Sequence, residues 1–208
     1  MKLHKKISLF LVIPIAFGAC LNLKQPSNKI EFYTLEYAPP PLDNLKPLPC
    51  VIRLERFSVA PEYNSDRIIY RDASFKRDSY VYFRWRANPG DLVASFLSRD
   101  IKQSGFFKAV IPYDSRLPSS YLLEGSVDEF FEWDAEEKWE AVLSVSITFM
   151  AENEPDINKR ILFQKNYQVR EPCEKKNPQA LAGAMSRAMS TVSRQIIEAL
   201  YTHLEKIS

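Results

Sequence analysis

The sequence has little glycine, histidine or cysteine. Of its 208 residues, five are glycine, two histidine and three cysteine. Five scattered glycines build no phosphate-cradling loop of the P-loop or dinucleotide-binding kind. His4 lies in the first 19 residues and His203 near the C-terminus, which argues against a multi-histidine metal site. Cys20, Cys50 and Cys173 are too far apart in sequence to form a metal-ligand pair. Gly125-Ser126 lacks the flanking pattern of a nucleophile elbow. The N-terminal apolar stretch, residues 7–17, falls well short of the roughly 20 residues a helix needs to cross a bilayer. No catalytic residue, metal ligand or cofactor is expected.

What is present begins with Cys20. Lys2, Lys5 and Lys6 precede an apolar stretch broken only by Ser8 and Pro14, and Gly18 and Ala19 follow it. Positive charge, apolar core and small residues, in that order, make an export signal. A cysteine directly after the small pair resembles a lipobox, the site at which bacterial lipoproteins are diacylated and cleaved. Phe17 stands where such sites usually have leucine. An uncleaved anchor and a cleaved, unlipidated form are the other readings, and both place the domain outside the cytoplasm. The whole chain has net charge +2. Residues 1–19 hold three lysines and no acid, so the remainder carries 25 basic and 26 acidic side chains, a net charge of −1. The basic excess belongs to the signal, and no basic stripe asks for nucleic acid. The expected organisation is a signal at 1–19, a tether at 20–29 and one domain at 30–208. In an oxidising compartment Cys50 and Cys173 form one candidate disulfide, with two free thiols as the alternative.

Period-two and helical patterns predict the elements. Residues 32–35, 51–59, 67–70, 80–86, 106–111 and 161–169 are β-prone, and 38–49 is a proline-rich surface linker. Asn88, Pro89 and Asp91 open a helix that Gly105 closes, with Leu92, Val93, Phe96, Leu97 and Ile101 on its apolar face. Residues 121–133 and 138–149 alternate as a hairpin. Tyr121, Leu123, Val127, Phe131 and Trp133 share one face, interrupted by Glu129, with Asp128 and Glu132 opposite. Asn177-Pro178 opens a last helix whose stripe runs from Leu181 through Met185, Val192 and Ile196 to Leu204. The predicted fold class is α+β: an antiparallel sheet with two helices packed on one face.

Two clusters are candidates for function. Asp128, Glu129, Glu132, Asp134, Glu136 and Glu137 could pair for acid–base work, but most fall on a polar face or a hairpin tip, where a solvated surface is the better reading. Tyr82, Arg84, Trp85 and Arg86 are candidate partner-binding residues, since aromatics with arginine are enriched in interfaces. The alternative is a strand with one aromatic core face.

Several segments in this order resemble the ABC-type transport auxiliary lipoprotein family. They are Phe32-Tyr33-Thr34-Leu35, Asp66 through Arg71, Tyr80 through Trp85, Asn88-Pro89, Leu92-Val93 with Leu97, Gly105-Phe106-Phe107, Tyr121 through Gly125 and the alanine-rich helix over 180–200. The resemblance covers most of the chain after Cys20 and implies an α+β domain. It also implies a role as a non-catalytic periplasmic partner of ABC systems that carry MCE-domain proteins and move lipids between envelope membranes. Outer-membrane anchoring through Cys20 is the expected location, with the inner membrane as the alternative. Leu21, in place of aspartate, is compatible with outer-membrane sorting. Another envelope binding or assembly module is the competing reading, and homo-oligomerisation is left open.

Overall fold

The computed structural model describes residues 29–43, 45–135 and 138–207; Cys20, Glu136 and Glu137 lie outside them. In chain order the elements are β1 (Glu31–Tyr33), β2 (Leu48–Leu54), β3 (Ser58–Val59), β4 (Arg67–Arg71), β5 (Arg77–Trp85), α1 (Pro89–Ser104), β6 (Phe107–Pro112), β7 (Tyr121–Asp134), β8 (Trp139–Ala151), α2 (Ile157–Arg160), β9 (Ile161–Pro172) and α3 (Pro178–Glu205). The class is α+β.

β7 organises the sheet. One edge pairs antiparallel with β8 along its whole length, and β8 pairs antiparallel with β9. The other edge is shared, all in parallel, by β2 opposite Tyr121–Leu123, β3 opposite Ser126 and Val127, and β4 opposite Glu132 and Trp133. β6 extends the sheet beyond β2, and β5 then β1 extend it beyond β4. The sheet is therefore mixed. The antiparallel expectation holds for β7–β8–β9 and β4–β5, whereas β1–β5 and β2–β6 are parallel, as are the three pairings on the shared edge.

The predicted 51–59 strand divides into β2 and β3, because its register against β7 slips by one residue between Leu54 and Ser58. The Phe57 ring lies over Gly125, where an added Cβ would meet its atoms at 2.3–2.7 Å. The Phe57 carbonyl approaches Gly90 in the first turn of α1, so the junction between β2 and β3 seats that helix against the sheet.

Both long helices form as their caps predict. The Asn88 side chain accepts from the Gly90 amide, and Gly105 closes α1 at φ 69°. The Asn177 side chain accepts from the Ala180 amide, and α3 buries Leu181, Met185, Met189, Val192, Ile196, Leu200 and Leu204. α1 packs on α3, and together they cover the face of β7 and β8 that carries Leu123, Val127, Leu143, Val145 and Phe149.

The predicted linker is a strap across this helix layer. The Glu36 amide donates to Ser186 Oγ, the Tyr37 hydroxyl donates to Asp100 at 2.7 Å, and Tyr201 of α3 donates to the Lys46 carbonyl. Leu35, Pro40 and Leu48 are buried along it. Asp100 is itself buried and is satisfied by Tyr37 and by a forked contact from Arg99, whose guanidinium lies over the Tyr37 and Phe96 rings.

Cys50 and Cys173 are free thiols, the second of the two readings given above, and the candidate disulfide does not form. Cys50 lies just before Ile52, the partner of Tyr121 at the start of β7. The Cys173 amide donates to the Trp139 carbonyl, opposite Asp134 at the far end. The 14 residues of β7 separate them, a length of roughly 40 Å at about 3.3 Å per residue. A disulfide tolerates a Cα separation of about 7 Å at most.

Candidate functional site

The two candidate clusters meet at one end of the sheet, where β4, β5 and β7 converge. A β-bulge between Val127 and Glu129 sets the chemistry there. It holds Asp128 by three donors: Ser126 Oγ at 2.7 Å, Ser146 Oγ at 2.5 Å and Asn166 Nδ2 at 3.1 Å. The extra residue shifts the alternation of everything after it. Phe130 and Glu132 turn to the helix-covered face opposite Leu143 and Ala141, while Phe131 and Trp133 turn to the other face. This corrects the predicted faces: Phe131 and Trp133 leave the helix side and Glu132 joins it. The phase change also removes the apparent interruption at Glu129, which pairs with Ser144 on the open face and accepts from Gln168.

On the open face Tyr63 stacks on Phe131 with centroids 5.8 Å apart, and Arg71 lies over the rings of Phe131 and Trp133. On the helix face Glu132 is 2% exposed. Its carboxylate oxygens lie 3.0 and 3.2 Å from the Tyr80 hydroxyl on β5. Burial pushes the Glu132 carboxyl above the usual range, against the stabilising Tyr80 contact, and burial likewise raises the Tyr80 phenol. Asp134 is held at 2.7 Å by Lys176, just before α3. Each described member of the acid cluster thus has a structural partner, and the carboxylates do not converge on a cleft. Among the described residues no group of three histidines, cysteines or acids could hold a metal ion.

The structure separates the aromatic–basic stretch into core and surface. Trp85 is 1% exposed and packs edge-on to Phe130, so it is core and not a partner contact. Arg84 is tied to Asp66 at 2.9 Å. Tyr82, at 42% exposure, and Arg86 remain available, and Arg86 lies over the exposed ring of Phe32 on β1. Phe32 is the surface member that sequence reasoning missed. Its pairing with β5 is the parallel kind that no local pattern announces.

Fold and surface define a class of protein: an α+β domain whose described acid cluster is engaged in structure, with an aromatic–basic strip along the β1–β5 edge. The chain belongs to the family described as the ABC-type transport auxiliary lipoprotein component, whose model matches residues 33–197. It is similar in fold to protein XCC0632 from Xanthomonas campestris, at 18% identity over 85% of this chain and 97% of that one, with a TM-score of 0.76. It is also similar to the hypothetical protein CT253 from Chlamydia trachomatis, at 10% identity over 75% of this chain and 98% of that one, with a TM-score of 0.54. No curated protein matches the sequence significantly. Family membership makes this chain an auxiliary lipoprotein component of ABC-type transport in the cell envelope. No described helix is long and apolar enough to cross a membrane.

Proposed function

We propose that this protein is a non-catalytic adaptor of a lipid-transporting ABC system. Acyl chains on Cys20 would hold it at the outer membrane, facing the periplasm, where it docks to an MCE-domain protein and thereby to the ABC components. The observation that carries this reading is the family match over residues 33–197. The sequence around Cys20 supports the anchor, and the structural engagement of Asp128, Glu129, Glu132 and Asp134 supports a binding role over a catalytic one. The exposed strip of Phe32, Tyr82 and Arg86 has the composition of a docking surface.

Pull-down from detergent-solubilised envelopes tests the reading. An MCE-domain protein or its ABC partners is the expected capture, lost or weakened when Tyr82 and Arg86 are both replaced by alanine. Consistent recovery of unrelated proteins alone would sink it. The anchor has its own test. Cys20→Ser is expected to abolish palmitate incorporation, and unchanged labelling would refute acylation there.

A further inference from the structure

We propose that the tip of the β4–β5 hairpin is a membrane-contact element, with Phe75 entering the headgroup layer of the bilayer that carries the acyl chains of Cys20. The proposal rests on the Cys20 anchor.

Phe75 is 92% exposed, and nothing in the described protein packs its ring. It adopts φ 64°, a left-handed conformation in which a side chain beyond glycine is crowded. The tip is shaped by Asp72, which accepts from the Ser74 amide at 2.9 Å. A turn of this kind favours glycine or asparagine at the left-handed position, so an aromatic there gives up local comfort in order to project a ring. Lys76 and Arg77 follow directly. An aromatic ring beside cationic side chains with aliphatic stems suits the bilayer interface.

The strand register says which end of the domain lies toward the anchor. β1 runs parallel to β5, with Glu31 opposite Phe83. β5 leads away from the hairpin tip, so the chain preceding Glu31 enters from the side of Phe75. Phe83 is eight residues from Phe75, at most roughly 26 Å of chain in strand conformation, and the irregularity of β5 opposite β4 shortens that span. Ten residues lie between Cys20 and Glu31, which makes eleven Cα–Cα steps, with a reach of at most ~40 Å. That reach exceeds the distance, so a domain held by Cys20 can bring this end to the bilayer. A held tip needs only weak intrinsic affinity, because tethering supplies a high effective concentration. The local charge is mixed, since Lys76 pairs with Asp78, Arg77 with Glu62 and Lys176 with Asp134 at the same end. Ring burial, and not attraction to anionic lipid, is the proposed driving force.

The test uses the full-length protein processed in vivo, purified and reconstituted into phosphatidylethanolamine–phosphatidylcholine vesicles, with Cys20 acylation verified by mass. Phe75→Trp is compared with Leu117→Trp, and the unsubstituted protein is subtracted to remove Trp85, Trp133 and Trp139. Leu117 is exposed in the loop before Tyr121, at the opposite end of β7. The expected result is a blue shift and strong quenching by brominated acyl chains for the tip indole alone. With Cys20 acylated, a tip indole that stays unshifted and open to aqueous iodide overturns the proposal and leaves the anchor standing. An indole that shifts only on addition of a protein partner overturns it equally. An unacylated Cys20 overturns both.

Discussion

The Tyr80 hydroxyl on β5 and the Glu132 carboxylate on β7 meet at 3.0 and 3.2 Å beneath the helix layer. This contact joins the acid cluster to the strand that carries the aromatic–basic residues and has a pH signature. Burial raises the Glu132 carboxyl in the folded state. The folded protein therefore keeps that proton to higher pH than the unfolded chain does. The contribution to stability is fully present below the unfolded carboxyl's pKa and is lost as pH rises through the folded value. Glu132→Gln keeps an acceptor for Tyr80 and removes the ionisation. The variant is expected to be more stable than the parent at pH 7, with the difference vanishing toward pH 4. Urea unfolding midpoints across that range check it, and a variant less stable at neutral pH would show the charge to be favourable.

The close approach of Phe57 to Gly125 leaves no room for a side chain. Gly125→Val is expected to cost about 2 kcal/mol or more, because overpacking forces the ring out of place. Phe57→Leu should recover part of the loss in the double variant, read as non-additive unfolding free energies. Additive losses would mean that the ring and the glycine act independently.

The strap over the helices depends on Tyr37 and Asp100. Tyr37→Phe removes one donor from a buried carboxylate, which is expected to cost about 1–2 kcal/mol. Hydrogen exchange should show faster opening of residues 35–37 and of neighbouring α1, with the far end of β9 unchanged. Unchanged exchange in the strap would remove Tyr37 as its fastening.

The thiols are expected to be free and slow. Burial pushes Cys173 up to about 11 and also raises Cys50. Little thiolate exists at neutral pH, so alkylation of native Cys173 should be slow at pH 8 and accelerate as pH approaches that value. Without reductant, the denatured protein should take up one alkyl group at each of the two cysteines. A species two mass units lighter that refuses alkylator would restore the disulfide.

Much of the fold was legible because it is written locally. Asn88 and Gly105 delimit α1, and Asn177 opens α3, because caps satisfy amides and carbonyls within a few residues of themselves. The α3 stripe and the β8 alternation mark buried faces for the same reason: period alone states which side of an element meets the core. Family membership was also readable, from short segments in a fixed order that the match over residues 33–197 spans.

The tertiary structure decided what depends on partners distant in sequence. Alternation names a face but not a neighbour, so the parallel seating of β2, β3 and β4 along one edge of β7 had no local signal. The bulge at Asp128 is anchored by Ser146 and Asn166 from two other strands, and that one residue exchanges the positions of Phe131 and Glu132 between faces. Trp85 passed from candidate contact to core because Phe130, brought to the helix face by the same bulge, packs against it. The sequence by itself determined the two helices and the sheet's buried side as far as the bulge at Asp128. Which acid is buried, which aromatics remain outside and at which end the chain enters β1 followed only once β7 had gathered strands from across the chain.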